Sequence, residues 1–171
     1  MREVRLGPAD VTVDPRSDGT LYVRQRRELH PYPAKLTERL DHWAAVAPDR
    51  TYMAQRDETG DWRRISYAET RDRARRIAAA LLKRNLSPER PVAILSGADL
   101  EHQVLGLGAM YAGVPHAPVS PPYSLISTDF GKLKYVLGKL TPGLIFVDDE
   151  DGDRSYNFNM AILDIDLDEV K

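Results

Sequence analysis

The chain has 171 residues, 24 of them Lys or Arg and 26 Asp or Glu, for a formal net charge of -2 at pH 7. It has no cysteine, which excludes disulfides, thiolate metal sites and cysteine nucleophiles, and its near-neutral charge argues against a nucleic-acid surface. No apolar run approaches the roughly 20 residues of a transmembrane helix, and MREVRLGPAD lacks the apolar core of a signal peptide, so one cytoplasmic domain, or a large piece of one, is expected.

Residues 1–35 read as extended. Val11 and Val13 alternate with polar neighbours, Leu21 to Val23 is a second short apolar run, and Ser17-Asp18-Gly19 between them signals a turn. Arg24, Arg26 and Arg27 read as solvated basic residues. Leu36, Leu40, Trp43 and Ala44 then fall on one face of a helix that Pro48 stops, with Trp43 expected in the core. Thr51 to Arg56 and Trp62 to Ile65 flank a turn containing Gly60 and predict a hairpin.

Ser66-Tyr67-Ala68-Glu69 has the pattern of a capping box. The helix it opens should bury Thr70, Ala74, Ile77, Ala78 and Leu81 and end near Asn85. Its arginines read as an exposed face, because Glu69 with Arg73 and Asp72 with Arg76 form i,i+4 pairs.

From Pro91 to Val147 short apolar runs alternate with helical patterns. The runs are Val92 to Leu95, Val114 to Val119 and Leu144 to Val147. This order predicts an α/β fold: a parallel βαβαβ sheet with flanking helices, preceded by an N-terminal hairpin region. Ser96-Gly97 stands at the carboxyl end of the first of these strands, where open parallel sheets hold ligands. The residue two before Ser96 is Ile94, so the G-x-S-x-G elbow fails. Gly106-Leu107-Gly108 lies inside the helix and reads as close packing, not as a dinucleotide loop. Asp99 and Glu101 put negative charge at the helix start and disfavour a phosphate there, so Ser96 or Asp99 is expected as a cap. Leu100, Val104, Leu107 and Tyr111 form the helix's apolar stripe, and Gly113 ends it.

His102 and His116 have no partner at metal-ligand spacing and read as structural. Pro118 to Ser124 reads as a rigid loop after a strand. Ser127 or Thr128 should cap the last helix, with Phe130, Leu133, Leu137 and Leu140 inward. After Val147 comes the acidic run from Asp148 to Asp153, and Leu163, Ile165 and Leu167 alternate with aspartates. A boundary is therefore expected there, with residues 1–147 as the folded part and 148–171 as a compositionally different tail.

Two stretches carry a resemblance. They are YPAKLTERLDHWAAVAPDRTYMAQRDETGDWRRISYAE and ERPVAILSGADLEHQVLGLGAMYAGVPHAPVSPPYSLISTDFGKLKYVLGKLTPGLIFV. Over about residues 2–147 the chain resembles the N-terminal part of adenylate-forming acyl-CoA ligases, the AMP-binding enzyme superfamily. Within it, LEH at Leu100 to His102 and APVSPPYSLIS at Ala117 to Ser127 look most like feruloyl-CoA synthases. The resemblance implies an incomplete N-terminal domain of the ligase fold. It further implies a parent enzyme that uses ATP, magnesium and coenzyme A to thioesterify a small aromatic, hydroxycinnamate-type acid. The phosphate-loop pattern S-G-T-T-G-x-P-K-G and the catalytic-lysine segment of such enzymes are absent from these residues. The expectations are therefore no catalytic residue and no metal ligand in this chain, weak binding of the cofactors by it alone, and self-association through an exposed sheet edge. The residues expected to face the site region are Ser120, Pro121, Tyr123 and Ser124. The alternative expectation is a non-enzymatic α/β module that binds a partner through that edge.

Overall fold

The computed structural model describes residues 10–147. The acidic run from Asp148 and the alternation near Leu163 lie outside them. The chain divides into two compact units between Ala34 and Lys35.

In the first unit, β1 (Val11–Pro15) pairs antiparallel with β2 (Leu21–Gln25), Val13 opposite Val23. Gly19 turns the chain at φ 86°, a conformation glycine adopts without strain, and the Asp18 carboxylate accepts from the Thr20 amide at 2.9 Å.

The second unit begins with α1 (Thr37–Val46), followed by the antiparallel pair β3 (Thr51–Arg56) and β4 (Trp62–Ser66) and by α2 (Tyr67–Leu81). The expected capping box opens α2: the Ser66 hydroxyl accepts from the Glu69 amide at 3.2 Å, and the Glu69 carboxylate accepts from the Ser66 amide at 2.9 Å. These bonds hold the Glu69 carboxyl below its ordinary pKa. The carboxylate thus turns back to the cap rather than forward to Arg73, whereas Asp72 and Arg76 do pair, at 3.0 Å. The helix stops at Leu81, before Asn85.

Next come β5 (Val92–Leu95), α3 (Leu100–Ala112), β6 (His116–Pro118), the single turn α4 (Pro122–Leu125), α5 (Gly131–Leu140) and β7 (Leu144–Val147). Their sheet is parallel in the order β6-β5-β7. Alternation along the strands sorts its two faces. Val92, Ile94, Leu144 and Phe146 meet Leu105 and Ala109 of α3 and Leu81 of α2. Ala93 and Ile145 meet Leu133 and Leu137 of α5. A third cluster, Ile65, Ala74, Leu100 and Val104, lies on the other side of α3, toward β4 and α2. Helix α3 is therefore an inner layer, buried on two faces, whereas the sequence stripe identified only the face toward α2. Gly108 permits the close approach of the two helices: a Cβ there would stand 2.5 Å from Ile77 Cγ2.

Three inward assignments change. Leu36 precedes the first turn of α1 and is 75% exposed, and Thr37 takes the buried place beside Leu40 and Ala44. Trp43 is 38% exposed and packs against the rings of His42 and Tyr67, with centroids 5.2 and 6.3 Å away. Phe130 is the residue before α5, at φ 53°, and is 40% exposed. In each case the side chain sits at a helix end, or at the rim of the buried face, where the helical period alone does not decide burial.

Candidate functional site

In a parallel sheet the connections that leave adjacent strands at their carboxyl ends lie side by side. Here those are Ser96–Asp99 after β5 and Val119–Ser124 after β6. They are tied at their roots, where the Val119 amide donates to the Ile94 carbonyl at 2.8 Å.

The first connection is held internally. Asp99 is the N-cap of α3 and accepts from the His102 amide at 2.6 Å. The Gln55 side-chain oxygen accepts from the Leu100 amide at 3.1 Å. Arg63 of β4 pairs with Glu101, both partly buried. Ser96 is buried, and its hydroxyl lies 3.1 Å from His102 Nδ1, which is itself 2.9 Å from the Gly97 carbonyl oxygen. The expected cap is thus Asp99. Ser96 has a different role, as a partner of His102.

The second connection is not an open loop. Pro121 and Pro122 initiate α4, so Tyr123 and Ser124 lie in a helical turn. The Tyr123 amide donates to the Ser120 carbonyl at 2.9 Å, and the Ser124 hydroxyl donates to the Pro121 carbonyl at 3.1 Å. Ser120 is exposed, while Pro121, Tyr123 and Ser124 are half-buried. Lys132 Nζ stands 5.6 Å from the Tyr123 ring centroid. The four residues named from the sequence are therefore contiguous in space at the carboxyl end of β6.

The start of α3 makes a poor phosphate cradle. A phosphate at a helix start needs free backbone amides, but the amides of Leu100 and His102 already donate to Gln55 and Asp99. Asp99 and Glu101 add negative charge there. Among the described residues no three acidic or histidine side chains are grouped to hold a metal ion, and no helix is long and apolar enough to cross a membrane.

A groove of about 550 Å³ lies at the other end of α3, lined by Lys35, Glu38, Asp41, Arg75, Met110 and Tyr111, among others. Asp41 Oδ1 accepts from Tyr111 Oη and from Arg75 Nη2, both at 2.9 Å. Burial first, and then the Asp41 carboxylate, push the Tyr111 phenol up to about 12. The apolar reading of Tyr111 missed this bond, which joins residues 70 positions apart in sequence.

Residues 40–168 match the model of the AMP-binding enzyme family. The chain belongs to that family. Among curated relatives, it is 29% identical over 136 residues to a Salinispora arenicola protein described as a probable non-canonical nonribosomal peptide synthetase. That match takes in 80% of this chain and 2% of the relative. It is 31% identical over 90 residues to a dimodular nonribosomal peptide synthase of Bacillus subtilis, 53% of this chain and 4% of that one. Among solved structures, the fatty acid AMP ligase of Legionella pneumophila superposes with a TM-score of 0.58 at 20% identity. The superposition spans 65% of this chain and 19% of that chain. The chain thus spans a small part of each relative's length. Its parallel sheet and helices match the N-terminal part of adenylate-forming ligase structures. The family match runs past Val147, where the sequence resemblance was placed to end.

Proposed function

We propose that this chain is the N-terminal portion of the acid-activating domain of an ATP-dependent ligase that joins a hydroxycinnamate-type acid to coenzyme A through an acyl-adenylate in the cytoplasm. Residues 1–147 belong to that domain, and the stretch after them, although its composition changes, is still covered by the family match as far as residue 168. The family match over residues 40–168 is the observation that carries the reading. The segments Leu100 to His102 and Ala117 to Ser127 support an aromatic acid over the other acids the family activates. Ser120, Pro121, Tyr123 and Ser124 border the acid site from the carboxyl end of β6. ATP, magnesium and coenzyme A are held by other segments, because the start of α3 offers no phosphate cradle.

Pyrophosphate exchange tests the substrate class. It is measured on the longest natural polypeptide that carries these residues, with ferulate, a long-chain fatty acid and a mixture of amino acids as separate substrates. Ferulate is expected to support the fastest exchange. Preference for a fatty acid or an amino acid overturns the aromatic assignment, and no exchange with any acid favours the partner-binding module.

A further inference from the structure

The groove at the C-terminal end of α3 lies a helix length, roughly 20 Å, from the strand-end connections and shares no residue with them. Three helices build it. Helix α1 brings Glu38 and Asp41 and is preceded by Lys35, α2 brings Arg75, and α3 brings Met110 and Tyr111. All of these residues belong to the second compact unit. The volume of about 550 Å³ falls within the range of small-molecule sites, roughly 300–1,000 Å³.

The charges on its walls divide into two sets. Asp41 and Arg75 are committed to each other and to the fold: Asp41 Oδ1 accepts from Arg75 Nη2 and from Tyr111 Oη, both at 2.9 Å. This bond fixes the Tyr111 ring, and the Arg75 guanidinium stands 5.7 Å from its centroid. Arg75 keeps N–H donors on its other nitrogens. Lys35 and Glu38 are not committed. Both are exposed, and neither forms an ion pair among the described residues. The Glu38 amide donates to the Lys35 carbonyl at 3.2 Å, so a single turn of backbone holds this cation and this anion at the same groove.

Helix α3 ends in the groove at Gly113 and has no basic residue in its last turn, so no side-chain cation offsets its terminal carbonyls there. Two cations, Lys35 and Arg75, thus face two anions, Glu38 and Asp41. A ligand of one charge meets two like charges on this lining, whereas a ligand carrying both charges finds a partner for each.

We propose that the groove binds a free α-amino acid with an apolar side chain. Its carboxylate lies at Lys35 and the remaining N–H groups of Arg75, its ammonium at Glu38 and the end of α3, and its side chain against Met110 and the Tyr111 ring. A thioether and an aromatic face suit an apolar side chain, an aromatic one above all. Met110 is 43% exposed and so offers surface to cover. The site goes beyond the acid activation proposed above and uses none of its residues.

Amide NMR of the 171-residue chain, titrated with L-phenylalanine without ATP or coenzyme A, tests this. Shifts at Met110, Tyr111 and Gly113 should saturate with a Kd on the order of 1 mM, a weak affinity suited to an open groove. 3-Phenylpropionate, which lacks the ammonium, and phenethylamine, which lacks the carboxylate, should each bind roughly tenfold more weakly, the effect of losing one charge-assisted hydrogen bond. Lys35→Met should weaken L-phenylalanine and 3-phenylpropionate but not phenethylamine. Glu38→Gln should weaken L-phenylalanine and phenethylamine but not 3-phenylpropionate. Both side chains are exposed, so both variants should fold; Asp41 and Arg75 are left in place because they tie the helices together. Shifts that do not saturate, equal binding of the three probes, L-phenylalanine binding untouched by both substitutions, or shifts centred on Ser96–Asp99 or Ser120–Ser124 instead of the groove overturn the proposal. No measurement here reads adenylation, so failure of the groove leaves the proposed activity standing, and failure of the activity leaves the groove standing.

Discussion

The approach of α2 and α3 can be tested with three glycines that differ only in what surrounds them. Each is replaced by alanine, which by helix propensity alone stabilises a helix interior by about 1 kcal/mol. At Gly138 in α5 nothing lies within 4 Å of the added Cβ, so Gly138→Ala should show that gain nearly undiminished. At Gly106 the Cβ meets His116 Nε2 at 3.2 Å, the end of a side chain that can shift, so gain and crowding should roughly cancel. At Gly108 the Cβ meets Ile77 Cγ2 at 2.5 Å, Ile77 Cβ at 2.8 Å and the Ala74 carbonyl oxygen at 3.1 Å. Two of these three atoms cannot move without moving α2. Overpacking of this kind costs about 1–3 kcal/mol. With the upper end apt here, the net loss after the propensity gain is about 2 kcal/mol. Urea unfolding followed by circular dichroism reads all three. With a slope of about 1–3 kcal/mol per molar, Gly108→Ala should lower the midpoint by roughly 1 M. If Gly108→Ala is as stabilising as Gly138→Ala, the two helices do not meet at this distance and the inner position of α3 is wrong.

Ser66→Ala should lower stability by about 1 kcal/mol, because the Glu69 amide loses its acceptor; unchanged denaturant midpoints would show that the box contributes nothing. Tyr111 should ionise near 12 in an ultraviolet titration. Because the folded state holds its proton more tightly, the stabilisation is fully present below the unfolded value near 10 and is lost as pH rises from there toward 12. Tyr111→Phe should remove that alkaline loss, and an identical pH profile in the variant would argue against the Asp41 bond. Among the described residues β6 and β7 each pair on one side only, so the 171-residue chain should self-associate in sedimentation experiments; a monomer at all concentrations would argue against edge pairing.

What could be read from the sequence was mostly local. The capping box, the Gly60 turn and the Gly113 stop each depend on residues within a few positions, and all three stand in the structure. The parallel order of β5, β6 and β7 followed from the alternation of strand and helix patterns. Misassignments arose where tertiary packing decides. Leu36 and Phe130 fit a helical period, but each lies just before its helix begins. The second buried face of α3, Leu105 and Ala109, became visible only with the sheet beneath it. At the site, contiguity of Ser120 to Ser124 was legible, while the turn that α4 makes there was not. The pairing of His102 with Ser96 and the Asp41–Tyr111 bond were missed because each needs a chain reversal or a helix contact to bring its partners together.

The most direct test of the account is pyrophosphate exchange by the 171-residue chain itself, with ATP, magnesium and ferulate. Acid activation requires a triphosphate held in line with the carboxylate and its charge stabilised, and the amides at the start of α3 are already committed to Gln55 and Asp99. The account predicts no exchange above the no-protein control. Exchange that rises with protein concentration would contradict it, by placing a working phosphate site within these residues.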